Sequence, residues 1–255
     1  MTVWTMKKLL LIAMLAVVGM GSVQAQDGET GRDRLESEAT ARGRLKGSLE
    51  ADVVSRYIWR GLELGHVSLQ PRLSVGWRGL NLTVEGNVGL TGHGDDPNEI
   101  DLTLAYETGG LSFGVNDYWD DQADQRYFYY KKDGTGHSFE AIVCYDFGPV
   151  SASWQTVFAG DDCQEVSGKR AFSSYLELSA PFRLITCEWE AVAGVVPWAS
   201  DYYETDGFSV TSLSLRATKE VQITRKFALP LFCELVANPA TQKLYFIAGL
   251  TLKAF

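Results

Sequence analysis

The stretch RLSVGWRGLNLTVEGNVGL, Arg72 to Leu90, decides the fold. Leu73, Val75 and Trp77 alternate with Arg72, Ser74, Gly76 and Arg78. After Gly79 the alternation restarts, with Leu80, Leu82, Val84, Val88 and Leu90 set against Asn81, Thr83, Glu85, Asn87 and Gly89. A period of two on both sides of a tight turn predicts an antiparallel hairpin with one apolar and one polar face. A soluble protein turns the apolar face inward, whereas a membrane barrel turns it outward to lipid. The rest of the chain has to choose between them.

The same period runs almost throughout from Leu49. Ala51, Val53, Tyr57 and Trp59 alternate with Asp52, Arg56 and Arg60; Ile100, Leu102, Leu104 and Tyr106 with Glu99, Asp101, Thr103 and Glu107; Phe139, Ala141, Val143 and Tyr145 with Ser138, Glu140 and Asp146. Further runs follow to a last one from Gln242 to Phe255, giving about twelve strands, several near the ~9–11 residues a tilted membrane-spanning strand needs. Short turns are expected at Arg78-Gly79, Thr108 to Gly110, Gly148-Pro149, Pro181 to Arg183 and Thr218 to Glu220. Between them lie longer polar segments: Thr91 to Asn98, Trp119 to Gly136, Ala159 to Arg170 and Pro197 to Gly207. In an up-and-down meander this order trims one end and decorates the other, as outer-membrane barrels do. Greek-key sandwiches mix their loop lengths more.

Aromatic residues lie near the strand ends (Trp59, Trp77, Tyr106, Trp119, Tyr145, Trp154, Trp198, Tyr202, Tyr203), the places where amphipathic rings meet lipid headgroups. Ordinary enrichment of aromatics in strands is the competing reading. The final segment YFIAGLTLKAF puts Leu244, Phe246, Ala248, Leu250 and Leu252 on one face and ends on Phe255. That terminal aromatic resembles the signal read by the outer-membrane barrel-insertion machinery. Phe255 has the parity of Lys253, not of Leu252, so a displaced register or a bulge is expected at closure. We therefore expect an all-β fold, a transmembrane antiparallel up-and-down β-barrel of about twelve strands, with lipid outside and both termini on the periplasmic side.

The chain begins MTVWTMKKLLLIAMLAVVGMGSVQAQ. Lys7 and Lys8, the apolar run Leu9 to Val18 and the small residues of Val23-Gln24-Ala25 predict a cleaved secretory signal over 1–25. A membrane anchor is the alternative, but the run is short for a span. Residues 26–47 read as a polar leader and 48–255 as the barrel. The formal charge of −9 becomes −11 without the two lysines, the only charges before Ala25. That balance argues against nucleic acid as a partner. Cys144, Cys163, Cys187 and Cys233 fit no metal-binding spacing, and their pairing stays open. No metal or cofactor is expected.

Residues 51–90, ADVVSRYIWRGLELGHVSLQPRLSVGWRGLNLTVEGNVGL, resemble the opening of the TorF-type porins. The likeness rests on Ser55-Arg56-Tyr57-Ile58-Trp59-Arg60-Gly61, taken as the end of the first strand, on Gln70-Pro71 in the second, and on the later Leu111 to Trp119; beyond that it is general barrel pattern. It implies an outer-membrane channel for small hydrophilic solutes and names no solute.

By parity the lumen would be lined by Asp52, Arg56, Arg72, Glu85, Asp101, Glu140, Glu177, Glu188, Glu190 and Arg216, with Glu50 and Asp146 beside them. Acids outnumber bases, which in a wet pore favours cations modestly. Twelve strands lie between a barrel filled by side chains and an aqueous channel, so a plugged structural or surface-interaction barrel is the alternative. A lipid hydrolase is a third reading. His66-Val67-Ser68 and His137-Ser138 are the only close His/Ser pairs, and no G-x-S-x-G elbow is present. Asp95-Asp96, Asp120-Asp121 and Asp161-Asp162 lack the spacing of a dedicated calcium site. The aromatic run Tyr127 to Tyr130 could extend a strand, fold inward or meet a partner. The oligomeric state is not legible.

Overall fold

The computed structural model describes residues 45–92, 98–121, 126–131, 134–162, 168–225 and 227–254. Twelve strands close into one antiparallel barrel: β1 (Lys46–Val54), β4 (Ser68–Trp77), β5 (Leu80–Gly89), β6 (Asn98–Thr108), β7 (Leu111–Asp120), β8 (His137–Asp146), β9 (Ser151–Gly160), β10 (Ser174–Leu184), β11 (Cys187–Val196), β12 (Ser209–Thr224), β13 (Phe227–Asn238) and β14 (Lys243–Lys253). Two short strands, β2 (Tyr57–Trp59) and β3 (Leu62–Gly65), pair only with each other. Each barrel strand pairs with its neighbours in chain order, and β14 closes on β1 without a register shift, Glu50 opposite Lys253 through Val54 opposite Gly249. Phe255 lies outside the described residues. Closure leaves no unpaired edge, the condition a strand must meet in hydrocarbon.

The outer wall is apolar. Leu73, Val75, Leu82, Leu104, Phe113, Val143, Leu213, Leu235 and Phe246, from eight different strands, are all exposed large hydrophobics. A soluble protein exposes no contiguous apolar patch beyond roughly a few hundred Å². The opening hairpin therefore turns Leu73, Val75, Leu82 and Val84 outward, and its polar set faces the lumen, where Ser74 and Thr83 hydroxyls bond at 3.0 Å. At the short-turn end the outer wall carries ring pairs: Tyr106 with Phe113 at 5.8 Å, Tyr145 with Phe147 at 4.7 Å and Phe182 with Trp189 at 6.2 Å.

The turns at 78–79, 109–110 and 147–150 fall where expected. Two others do not. Pro181 is inside β10 opposite Glu190, and the turn comes later, at 185–186. β9 pairs with β10 only as far as Ser179, so Pro181 sits where no β9 partner waits for its missing N–H. Likewise Thr218 to Glu220 is continuous strand, with the turn after Thr224. Pro230 precedes the first β14 partner at Leu231, so β14 asks no hydrogen bond of it.

The long connections all lie at the opposite end. The first of them, 55–67, carries the β2–β3 hairpin and folds into the barrel. The expected first strand is thus corrected: β1 stops at Val54, and Tyr57, Trp59 and Arg60 belong to the hairpin.

Candidate functional site

The hairpin's position follows from what it touches. The Tyr57 hydroxyl donates to Glu99 Oε2 on β6 at 2.8 Å, and the Trp59 ring meets Tyr118 of β7 edge-on at 5.9 Å. Arg60 reaches Glu140 on β8, and Asn238 Nδ2 on β13 donates to the Gly61 carbonyl at 3.1 Å. A nine-residue segment contacts such separated strands only from inside the ring. It is drawn in by apolar surface on the lumen wall. Ile58 packs on Val54, Phe232, Val236, Tyr245 and Ile247, and Trp59 and Leu62 pack on Tyr175, Val196 and Tyr203.

Arg60 is the centre of the contact. Its Nη1 and Nη2 donate to Glu140 Oε1 and Oε2 at 2.6 and 2.9 Å, a bidentate geometry, and Nη1 also donates to the Tyr203 hydroxyl. Its guanidinium lies 4.4 Å from the Trp59 ring centroid and 4.7 Å from that of Tyr175. Glu140 is fully buried and also accepts from the Tyr118 hydroxyl at 2.8 Å. The turn itself needs Gly61, whose φ is +85° and whose added Cβ would lie 1.8 Å from the Thr211 carbonyl oxygen. Thr211 comes that close because a register shift at Gly194/Val195 leaves it as the extra residue of a bulge in β12.

A second connection joins the first. A 3-10 turn, Asp201–Tyr203, is capped by Ser200, and places Tyr203 in stacked contact with Trp59 at 5.8 Å and Tyr175 at 5.9 Å. Trp59, Tyr202 and Tyr203 are therefore lumen residues, correcting their expected place in an outer aromatic belt. Trp77, Tyr106, Tyr145, Trp154 and Trp198 are exposed.

The hairpin packs its apolar side chains on β1, β10, β11, β13 and β14 and reaches β6 and β7 through Tyr57 and Trp59. Two cavities of about 280 Å³ lie beside it, one lined by Asp52, Arg72, Glu85 and Asp101, the other by Glu99, Asp120, Ser138 and Tyr202. Trp59 and Tyr118 line both and stand between them. A larger cavity of about 600 Å³ at the short-turn end is lined by Glu107, Cys144, Asp146 and Glu190, among others.

The residues expected to line the lumen fall as follows. Asp52 accepts from Thr251 at 2.6 Å and lies 3.7 Å from Arg216, whose guanidinium covers the Phe232 ring at 3.6 Å. Arg72 bridges Glu85 and Glu50, at 2.5 and 3.3 Å. Asp101 stands opposite Glu85 on β5 and Tyr118 on β7. Glu177 and Glu190 share the inner parity of β10 and β11. Glu188 sits at the short-turn rim and pairs with Arg183, both well exposed. Arg56 leaves the wall and pairs with Glu63 inside the hairpin connection at 2.8 Å. Arg60, Trp59, Tyr118, Tyr175 and Tyr203 were absent from the expected set.

His137 and Ser138 face opposite sides of β8. Ser138 donates to the Asp161 carbonyl at 2.9 Å. His137 lies on the outer wall, its Nδ1 2.7 Å from Asp117 Oδ1 and its Nε2 2.6 Å from the Tyr127 carbonyl oxygen, with Tyr130 stacked over it at 4.4 Å. The described part of the aromatic loop, 126–131, thus folds outward over the wall. Burial, with Tyr130 and Asp117 adding, pushes the Tyr127 hydroxyl above its ordinary range. Asp162 is buried and accepts from the Ser173 hydroxyl at 2.6 Å and its N–H at 3.2 Å, a structural role. Asp95-Asp96 lie outside the described residues. Among the described residues no cluster of His, Cys, Asp and Glu is disposed to hold a metal, and Cys144, Cys187 and Cys233 form no disulfide.

The closed twelve-stranded antiparallel barrel with an apolar exterior and a polar interior defines the class of fold. No family model matches the chain, and no curated protein matches it. Among solved structures it is similar to the NanC porin, with 10% identity over 80% of this chain and 97% of that one, at a TM-score of 0.43. It is also similar to OmpF of Salmonella typhi in complex with daunomycin, with 9% identity over 84% of this chain and 98% of that one, at a TM-score of 0.35.

Proposed function

We propose that the chain is a bacterial outer-membrane channel for passive diffusion of small hydrophilic solutes, with a weak preference for cations. One observation carries the reading: the barrel is inverted, with large apolar side chains exposed around its ring and charged ones lining its axis. Such a wall is stable only against hydrocarbon. The outer-membrane address also draws on the secretory signal expected over 1–25. The termini and short turns then lie on the periplasmic side and the long connections outside. Lipid and, during biogenesis, the insertion machinery are its partners. The resemblance to TorF-type porins supports the same reading.

The cation preference follows from the charges around the two cavities beside the hairpin. Glu85, Glu99, Asp101 and Asp120 are among the residues lining them, and Arg72 is the one arginine. A plugged barrel is the second reading, favoured by the buried Arg60–Glu140 contact. A hydrolase is disfavoured by the opposed faces of His137 and Ser138.

Refolded protein in a planar bilayer tests the proposal. Discrete conductance steps are expected, with a reversal potential in a salt gradient that reports cation preference and weakens at high salt. Replacing Asp101 and Glu85 by Asn and Gln should shift that potential toward anions. Silence at every voltage would contradict the channel.

A further inference from the structure

His137 has no exposed surface, and each of its ring nitrogens stands against an oxygen that accepts. Nδ1 lies 2.7 Å from Asp117 Oδ1 on β7, and Nε2 lies 2.6 Å from the Tyr127 carbonyl oxygen. A neutral imidazole carries one N–H, so beside a carboxylate it satisfies only one of the two contacts. The other would set a nitrogen lone pair against oxygen at hydrogen-bond distance. Both contacts form only when the pair holds one more proton. That proton sits on the imidazole, which then donates twice, or on Asp117, which then donates to Nδ1 while Nε2–H donates to Tyr127. Aromatic rings enclose the site, with Tyr130 stacked on His137 at 4.4 Å and Phe139 at 6.0 Å. Their faces favour a cation over a neutral ring.

We propose that the proton shared by Asp117 and His137 is a pH-operated latch that holds the 126–131 segment against the outer wall. The inference goes beyond the channel reading and stands whether or not the lumen conducts. When the proton leaves at higher pH, Asp117 keeps the remaining N–H, because a carboxylate is the stronger acceptor. Nε2 then turns its lone pair on the Tyr127 carbonyl. Asp117 is fixed on a strand paired on both sides, opposite Leu102 of β6 and Phe139 of β8, whereas Tyr127 belongs to a connection. The connection is the side that moves. Thr135 limits how far, since its hydroxyl donates to the Tyr129 carbonyl at 2.8 Å and accepts from the His137 N–H at 3.1 Å. Neither bond titrates. The freed part is therefore the turn that carries Phe128, which is 87% exposed. The titratable groups around the ring are Asp117 from β7 and Tyr127 and Tyr130 from the connection, where Lys131 lies over the Tyr129 ring at 5.9 Å. From the β9 side come the Phe158 ring, against Phe139, and the Asp161 N–H, which donates to the His137 carbonyl at 2.8 Å. Asp101, beside Leu102, faces the lumen across the wall.

The experiment places a nitroxide on Phe128→Cys, in protein whose four cysteines are first replaced by serine, refolded into lipid vesicles. Label mobility is read from its spectral line shape between about pH 5 and about pH 9, around the ordinary histidine range and short of the tyrosine range. The same protein is compared with versions that add Asp117→Asn or His137→Phe, each checked by heat-modifiable gel mobility. With Asp117 and His137 intact, the label should be slow at the acid end and severalfold faster at the alkaline end, reversibly and through a single-proton transition. Asp117→Asn should stay slow throughout, because its amide donates to Nδ1 and a neutral imidazole then satisfies both contacts. His137→Phe keeps a ring in the stack, lacks both donors, and should be fast throughout. Unchanged mobility across the range in the otherwise intact protein would overturn the latch. So would a transition that survives in Asp117→Asn, or a label that is fast there at every pH. If Asp117→Asn fails to fold, His137→Phe carries the test, and a transition that survives in it would place the proton elsewhere and overturn the proposal.

Discussion

Arg60 and Glu140, 80 residues apart in the chain, meet through two parallel hydrogen bonds of 2.6 and 2.9 Å, with Glu140 wholly buried. Breaking one partner of a buried pair leaves the other charge uncompensated, at a cost on the order of 3–5 kcal/mol. Glu140→Gln should therefore loosen the inward position of the hairpin while the barrel ladder stays closed. Amide hydrogen exchange checks it: protection of 57–65 should fall and that of β4 to β14 should not. Uniform loss of protection would mean that the pair supports the whole barrel.

Two glycines separate backbone conformation from space. Gly61 (φ +85°) has the Thr211 carbonyl where its Cβ would be, whereas Gly109 (φ +56°) has nothing within 4 Å. Gly109→Ala should cost only the left-handed backbone penalty of about 1–2 kcal/mol. Gly61→Ala should expel the tip from the wall, so that protease nicks the 55–67 connection in the folded barrel. Equal resistance of both variants to nicking would contradict the close approach.

On the outer wall, Asp117 and the Tyr127 carbonyl hold His137 from two sides. A buried hydrogen bond to a charged group contributes roughly 1.5–3 kcal/mol. Asp117→Ala should release the 126–131 segment, read as faster proteolysis there, with conductance unchanged because the contact lies outside the lumen.

The two faces of β6 can be compared directly. Leu104 is 53% exposed on the outer wall, and Thr103 bonds Asn116 inside. Arginine on the lipid face near mid-bilayer costs roughly 2–4 kcal/mol. Leu104→Arg should lose that much folding stability in denaturant titrations into vesicles, and Thr103→Arg far less. Equal losses would reverse the assignment of faces.

The barrel was legible because its signal is repeated. Every strand writes the same alternation, and errors of a few residues at Pro181 or Thr218 do not change the count. The hairpin was not, although its key is present twice. Trp59-Arg60-Gly61-Leu62 and Trp77-Arg78-Gly79-Leu80 are the same four residues. Both turn with positive φ at the arginine and the glycine, +50° and +85° in one, +51° and +87° in the other. The second was read as a turn because strands of ten residues flank it. The first has flanks of three and four residues, which alternation cannot tell from the tail of a longer strand. Its inward fold is decided by Ile58 on β13–β14 and Arg60 on β8, contacts between distant parts of the chain that no local pattern carries. Aromatic residues near strand ends carried the same ambiguity. Trp77 and Tyr203 look alike in sequence, and only the path of the 3-10 turn sends Tyr203 inside.

The central claim is that apolar parity meets hydrocarbon and polar parity meets water. Nitroxide labels placed singly at 101, 102, 103 and 104, in protein whose four cysteines are first replaced by serine, test it in lipid vesicles. Collision with oxygen, which dissolves in the bilayer, and with a water-soluble nickel chelate would be measured at each site. The account predicts high oxygen and low nickel access at 102 and 104, and the reverse at 101 and 103. The opposite phase, or equal access at all four positions, would contradict it.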